Sequence, residues 1–194
     1  MALTVRATNG EDVEVDRLSL MLEVVARVQA LPYVWPCPPT AASAREAAVG
    51  SCASKHALLR EELDALGIAS RPMFVVGVLV PELLADDPEI AAGAGLLEVH
   101  ECLTASVPDV GPCVVDVTWD PPLLDRGLLG TRDWDGRSDM AVAATDPVGW
   151  WAPDPARLRT DKEALRARLY DDGDRQIRDR VLAAMAARFA EWRR

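Results

Sequence analysis

One cysteine of the chain occupies a position where a thiol gains nucleophilic character. Cys52 follows the small residues Gly50 and Ser51 and opens a leucine-rich stretch. The first turn of a helix presents unpaired N–H groups and the positive end of the helix dipole, and both stabilise an anion. Such a setting lowers the pKa of a thiol and favours the thiolate, the nucleophile of cysteine catalysis. Cys52 is therefore the first candidate for covalent chemistry.

A base and a group that orients it can be sought among few residues, because the chain has two histidines. His56 lies one helical turn after Cys52 on the same surface, which leaves little room for a substrate carbonyl between them. A packed or helix-capping role is the favoured interpretation of His56. His100 lies in a strand-like segment and can face the helix start across a cleft. Asp116, in the following strand-like segment, can accept a hydrogen bond from the imidazole of His100.

The spacing of apolar residues predicts the elements that would position these side chains. Helices are predicted over 16–30, 41–48, 52–66, 160–169 and 174–192. Strands are predicted over 72–80, 96–103 and 113–119, with the last two paired antiparallel because a hairpin-length loop joins them. Gly67 stands where a left-handed cap ends the central helix. The capping box from Thr160 to Glu163 opens the fourth helix, and the aperiodic segment 120–155 is expected to form ordered loops.

These motifs, in this order and spacing, resemble the transglutaminase-like, papain-related superfamily of cysteine enzymes. The shared features are Gly-x-Cys at a helix start, a Leu-Gly-Ile helix end followed by arginine, a strand histidine, and a strand aspartate in a Val-Asp-x-Thr context. In this chain they are Gly50-Ser51-Cys52, Leu66-Gly67-Ile68 with Arg71, His100, and Val115-Asp116-Val117-Thr118, within 33–120. The resemblance implies that Cys52 is the nucleophile, His100 the general base and acid, and Asp116 the residue that orients His100.

The fold implied by the resemblance is α+β, with the nucleophile helix packed on an antiparallel sheet and helices at the C-terminus. We expect a transglutaminase-like catalytic domain over 1–155. A C-terminal helical extension over 156–194 is expected to pack on that same domain.

Two departures from the family pattern concern the substrate side of the site. Glu-Cys-Leu follows His100, where many members have Ala-Trp-x-Glu, and Lys55 with the adjacent histidine looks like a microbial subgroup. The backbone N–H of the nucleophile is one candidate oxyanion donor, and the loop with Tyr33 and Trp35 is a source of a second. Trp119 completes the tentative substrate-binding set. Lys55 is interpreted either as a solvated or salt-bridged residue or as a cation that helps to hold a thiolate.

Composition narrows the class of protein. The chain has 194 residues, nearly half of them apolar, which suits one domain with a proper core. Its formal net charge of −10 argues against a nucleic-acid partner, which needs a basic surface. No secretory signal and no run of eighteen apolar residues is found, so we expect a cytoplasmic protein without a membrane partner. Residue usage suggests a GC-rich, bacterial source.

The four cysteines are expected to be thiols, because they lack a secretory context and a CxxC pair. A zinc site built from Cys102, His100 and the other cysteines is the less favoured interpretation, since closely spaced ligand pairs are absent. No cofactor is predicted. Trp134, Trp150 and Trp151 either line an aromatic cleft or anchor loops. The apolar stripe from 181 to 189 is typical of a core or of a dimer seam, which leaves oligomeric state open.

The leading function hypothesis is hydrolysis of an amide or peptide bond through a thioester on Cys52. Water needs no second binding site, which favours hydrolysis over transfer. The substrate would be a peptide, a protein or a small-molecule amide. Acyl transfer on a small molecule, a binding module without turnover, and a redox or metal thiol protein are the alternatives.

Overall fold

A computed structural model describes residues 3–6 and 12–194 of the chain. These residues form a mixed α+β structure. The strands are β1 (Leu3–Arg6), β2 (Asp12–Val15), β3 (Ser70–Val78), β4 (Leu97–Val107), β5 (Gly111–Val115) and β6 (Thr145–Trp151). The helices are α1 (Arg17–Gln29), α2 (Ala41–Ala47), α3 (Cys52–Ala65), α4 (Pro88–Ala91), α5 (Pro121–Asp125), α6 (Leu158–Leu169) and α7 (Asp172–Trp192), with a 3₁₀ turn at Glu82–Leu84.

The main sheet has four antiparallel strands in the order β5-β4-β3-β6. In its registers His100 of β4 lies opposite Val75 of β3, and Leu103 lies opposite Val115 of β5. The strands β1 and β2 form a separate antiparallel ribbon. His100 is paired with β3 on one side, whereas the pairing of β4 with β5 on the other side begins at Leu103, so β5 ends close to His100.

Two groups of buried side chains hold the helices against the sheet. One joins α1 and α3 to β4 and β5, with Met21, Leu59 and Leu63 fully buried. The other lies under α7 and includes Phe189 and Leu123, which are also fully buried. Helix α7 packs on α4 and α5, and α6 packs on β4. The C-terminal helices therefore rest on the same body as the nucleophile helix.

The structure confirms the α+β class, the antiparallel pairing of β4 with β5, and the first three helices. The strand predicted over 113–119 is shorter, because β5 ends at Val115, and Asp116 lies just past its end. Gly67 has a φ of +66°, and Ile68 N–H donates to Leu63 O at 2.9 Å, as expected for a left-handed helix end. Helix α6 begins before Thr160, however, so the predicted capping box lies inside the helix.

Two further boundaries differ from the predictions. Helix α7 continues through Gly173, because Asp171 and Asp174 form a reciprocal capping box that starts it earlier. The interpretation of 120–155 as loops is wrong, since the segment contains α5 and β6. Strand β6 is an edge strand that is mostly exposed and contains Pro147, so it lacks the apolar alternation that marks a strand. Within the described residues, no helix has both the length and the apolarity to cross a membrane.

Candidate active site

Cys52 is the first residue of α3, and its neighbours fix the start of that helix. Ser51 is the N-cap, and Ser51 and Ser54 cap each other reciprocally, with Ser51 N–H donating to Ser54 Oγ at 2.8 Å. A Cβ atom at Gly50 would lie 2.7 Å from a side-chain carbon of Lys55 and 2.8 Å from Ser54 Oγ. A larger residue than glycine would therefore displace the turn that delivers the half-buried thiol.

His100 and Asp116 form a buried pair beside this helix start. Nε2 of His100 lies 2.6 Å from Oδ2 of Asp116. The same carboxylate accepts hydrogen bonds from the backbone N–H of Ala143, at 2.8 Å, and from that of Thr118, at 2.9 Å. With three donors around it, the carboxylate has one orientation, and it holds the imidazole through Nε2.

The pair is held in its charged form. Burial raises the pKa of Asp116, but the charge and hydrogen bond of His100 outweigh burial, and the pKa lies well below its usual range. Burial lowers the pKa of His100, but the charge and hydrogen bond of Asp116, with a smaller contribution from Cys52, raise it to about 10. Because Nε2 is occupied by Asp116, Nδ1 is the ring nitrogen left for the thiol.

The surroundings of Cys52 favour a thiolate. Burial raises the pKa of the Cys52 thiol, but the positive charge of Lys162, together with the hydrogen bond and charge of His100, lowers it below its ordinary value. The structure thus brings the sulfur, the imidazole and the carboxylate of the sequence hypothesis into one constellation. Their catalytic roles remain predictions.

His56 takes the packed role that was favoured for it. The residue is 2% exposed, its Nδ1 lies 2.7 Å from Cys52 O, and its Nε2 lies 3.1 Å from the backbone N of Val117. The carbonyl can only accept and the N–H can only donate, so Nδ1 carries the proton and Nε2 does not. Burial lowers the pKa of His56 to about 4 despite the nearby carboxylate of Asp116, and the ring is neutral.

Lys55 is neither solvated nor salt-bridged, so that interpretation is wrong. It is fully buried, and its ammonium donates to three backbone carbonyls, those of Gln29, Leu31 and Thr118, at 2.9–3.0 Å. Burial lowers the pKa of Lys55 to about 7. Three carbonyls from two distant segments of the chain satisfy all three donors of the ammonium. Lys55 therefore joins α3 to the segments on either side of the site.

A cleft of about 190 Å³ opens beside Cys52 and His100. Tyr33, Trp35 and Trp119 of the tentative substrate set line it, whereas Lys55 is outside its lining. Trp134, Trp150 and Trp151 are also outside the lining of the cleft. Trp134 is buried and donates to Ser138 O, which anchors its own loop, and Trp150 and Trp151 are exposed at 49% and 43%.

One wall of the cleft is formed by charged side chains that sequence reasoning missed. Arg159, Lys162 and Arg166 of α6 and Arg178 of α7 line it, together with Glu98 of β4. The three α6 residues are spaced by three and four positions, so they share one face of a helix. That spacing could have predicted a basic helix face from the sequence, but nothing in the sequence places this face against β4.

The described residues contain no group of three histidine, cysteine, aspartate or glutamate side chains placed to hold a metal ion. All four cysteines are free thiols. Comparison with protein-family models finds no match, and comparison with curated proteins also finds none.

Proposed function

We propose that the chain is a cysteine-dependent amide hydrolase or acyltransferase of the transglutaminase-like type. In this proposal Cys52 is the nucleophile, His100 the general acid and base, and Asp116 the residue that orients His100. The observation that carries it is the 2.6 Å contact of Asp116 Oδ2 with Nε2 of His100, which lines the same cleft as Cys52. A nucleophile on a helix start and a histidine–aspartate pair at an antiparallel sheet also support the transglutaminase-like core.

The reaction begins when the Cys52 thiolate attacks the carbonyl carbon of an amide. A carbon–sulfur bond forms, and the tetrahedral intermediate carries the negative charge on oxygen. The imidazolium of His100 gives its proton to the amine nitrogen, the carbon–nitrogen bond breaks, and the amine leaves a thioester behind. Water then attacks the thioester, loses a proton to His100, and releases the acid and the thiolate. An amine in place of water gives acyl transfer.

The oxyanion requires donors that do not move during the reaction. The backbone N–H of Cys52 belongs to the first turn of α3, where no intrahelical acceptor exists. The backbone N–H of Tyr33 is engaged, because it donates to Asp120 Oδ2 at 2.8 Å. Its phenol is the better second donor: burial and the charge of Cys52 raise the pKa of Tyr33, which keeps the hydroxyl protonated. This hydroxyl belongs to the Tyr33 side chain, and Tyr33 lines the cleft.

Hydrolysis is the first choice within this proposal, and a peptide, a protein or a small-molecule amide is the substrate class. The four free thiols support a reducing compartment such as the cytoplasm.

Mass spectrometry of the intact protein, after exposure to a panel of amides and esters, tests the proposal. We expect a covalent acyl adduct on Cys52 whose mass matches the acyl part of the substrate. The His100→Ala variant should form the adduct at least about a thousandfold more slowly, as for removal of a catalytic base. Equal labelling of all four cysteines by an acylating reagent, unchanged in His100→Ala, would instead indicate a module that binds without turnover.

A further inference from the structure

We propose that the cleft selects an acyl substrate that carries a carboxylate, and that Arg159 and Lys162 bind this group. The inference rests on the proposed function, because it concerns what reaches the Cys52 thiolate. Its starting point is the charge of the cleft wall. Four cations line the cleft, and Glu98 is the one carboxylate among its lining residues in the described part of the chain. The whole chain, by contrast, carries a net charge of −10.

The carboxylates around this wall are too few to neutralise it. Glu98 is shared between Arg166, at 2.7 Å, and Arg178. Glu101 pairs with Lys162 at 2.7 Å. Two buried carboxylates therefore face four cations.

Two more carboxylates touch the same arginines from outside the cleft. Glu163 contacts Arg166 and Asp179 contacts Arg178, but their side chains are 57% and 65% exposed. Water and salt screen charges at that exposure, so these contacts compensate the wall weakly. The surplus of positive charge remains on the cleft side, next to Cys52, although the part carried by Arg159, which is exposed, is screened in the same way.

Arg159 has the donors to hold an anion. Its Nη2 donates to Pro39 O at 2.6 Å, and no carboxylate lies within ion-pair distance of it among residues 16–194. A guanidinium has five N–H donors in a planar fork that matches a carboxylate. Lys162 is 3% exposed and makes its hydrogen bond to Glu101, which leaves two of its three ammonium donors for a ligand.

Two orphaned donors in the same lining point to a ligand independently of charge. Thr118 is 1% exposed, and its hydroxyl has no hydrogen-bond partner among the described residues. Nε of Arg166 is likewise buried and without a partner there. Both side chains line the cleft. An unpaired buried donor is unfavourable by about 1–3 kcal/mol, and the oxygens of a bound carboxylate would satisfy such donors.

A purely electrostatic role of the wall makes a different prediction. If the cations only stabilise the thiolate, they accelerate its reaction with every electrophile by the same factor. If they bind a carboxylate, they accelerate the anionic electrophile more than its neutral analogue. Iodoacetate and iodoacetamide separate the two, because both form the same carbon–sulfur bond with release of iodide, and they differ in the charge of the group that the wall would contact.

The experiment measures the rate of Cys52 alkylation by each reagent in the full chain, by mass spectrometry, with glutathione as the reference thiol. We expect the iodoacetate-to-iodoacetamide rate ratio at Cys52 to exceed that of glutathione about tenfold, the factor for one charge-assisted contact. The ratio should fall toward that of glutathione in Arg159→Gln and recover in Arg159→Lys. Arg168→Gln is the matched control, because Arg168 is exposed on α6 and outside the cleft lining. The ratio should stay unchanged there.

The outcomes separate this inference from the function on which it rests. A reactive Cys52 with the ratio of glutathione overturns the carboxylate subsite and leaves the proposed function intact. A Cys52 that reacts with neither reagent, while the denatured chain reacts with both, overturns the proposed function and this inference together. A high ratio that Arg159→Gln and Arg168→Gln lower equally assigns the effect to net charge, which contradicts binding by Arg159.

Discussion

His56 and His100 occupy neighbouring sites, yet the structure holds them in opposite protonation states. Both are buried, their ring centroids are 6.2 Å apart, and both have a nitrogen near the carboxylate of Asp116. The pKa of His56 is lowered to about 4 and that of His100 is raised to about 10. Burial acts on both rings in the same direction, so it cannot be the source of the difference.

The difference comes from what each ring nitrogen meets. Nε2 of His100 donates to Asp116 at 2.6 Å. Nε2 of His56 lies 3.5 Å from the same carboxylate but accepts from Val117 N–H, so it carries no proton to share. One backbone donor therefore decides which histidine can become charged. Closeness to a carboxylate is a weaker guide to chemistry than the identity of the proton at each nitrogen.

The largest effect is expected for Asp116→Asn, which removes the negative charge of the side chain and retains its shape. An amide that donates to Nε2 of His100 would move the ring proton to Nδ1, the nitrogen that must exchange a proton with the thiol. We expect turnover to fall by about 10²–10⁴-fold, the range for loss of an orienting carboxylate. Steady-state kinetics on an amide substrate identified by the acyl-adduct screen measures it.

Asp120→Asn is the control for this variant. Asp120 is 1% exposed and pairs with Arg193, so the change also removes a buried charge, but Asp120 does not touch either histidine. It accepts from Tyr33 N–H, and the side-chain oxygen of asparagine can accept the same hydrogen bond. Its turnover should stay within about tenfold of the parent. Equal losses in the two variants would assign the effect of Asp116→Asn to general destabilisation.

The pH dependence of Cys52 alkylation sharpens the contrast. Burial raises the pKa of Cys52 in the folded chain, but Lys162 and His100 lower it below its ordinary value. The rate of alkylation by iodoacetamide should therefore rise to its plateau at a lower pH than in the urea-denatured chain. In Asp116→Asn, His100 loses the partner that keeps it charged, so the midpoint should move up toward that of the denatured chain. A midpoint that coincides in folded and denatured chains would contradict the thiolate assignment.

Local signals account for what could be predicted of the site. The start of α3 and its end at Gly67 depend on residues within one or two turns, and both could be predicted. The packed role of His56 was favoured because it shares a helix surface with Cys52, although its bond to Val117 N–H joins residues 61 positions apart. The strand pairing that brings Asp116 to His100 followed from one short hairpin loop. The order of these features along the chain was therefore sufficient to predict that Cys52, His100 and Asp116 lie together.

The remainder depends on contacts between distant segments. The burial of Lys55 requires carbonyls from two distant segments, Gln29 and Leu31 at the end of α1 and Thr118 after β5, and no spacing along the chain predicts this contact. The basic wall requires Lys162 to meet Glu101 across 61 positions. Strand β6 is exposed at the sheet edge, so it has no apolar period to detect. The periodicity of apolar residues predicts which face of a helix or strand is buried, but not which other helix or strand packs against that face.

The substitution His56→Phe tests the structural role assigned to His56. It retains an aromatic ring and removes the acceptor of Val117 N–H, which is buried. Leaving that donor unpaired should lower the free energy of unfolding by about 1–3 kcal/mol. Urea unfolding measures this, while Cys52 alkylation in the folded variant should stay within about tenfold of the parent. Loss of Cys52 reactivity at full stability would show that His56 takes part in the proton transfer.

The two rings should also give a pair of opposite slopes of stability against pH. The pKa of His56 falls from its ordinary 6.5 to about 4 on folding, so between these values the unfolded chain binds more protons. Its contribution is complete above pH 6.5 and is lost as the pH falls toward 4. The pKa of His100 rises to about 10, so its contribution is complete below pH 6.5 and is lost as the pH rises through 10. Each slope is at most about 1.4 kcal/mol per pH unit, the value for one proton.

Differences between the parent and the variants isolate these two slopes from the other titrating groups. The parent-minus-variant free energy of unfolding should depend on pH between 4 and 6.5 for His56→Phe. For His100→Phe it should depend on pH between 6.5 and 10. If both differences changed in the same window, the two rings would share one protonation state, and the distinction drawn from the hydrogen bond of Val117 would be wrong. Slopes in separate windows would tie the charge on each ring to the proton at its Nε2.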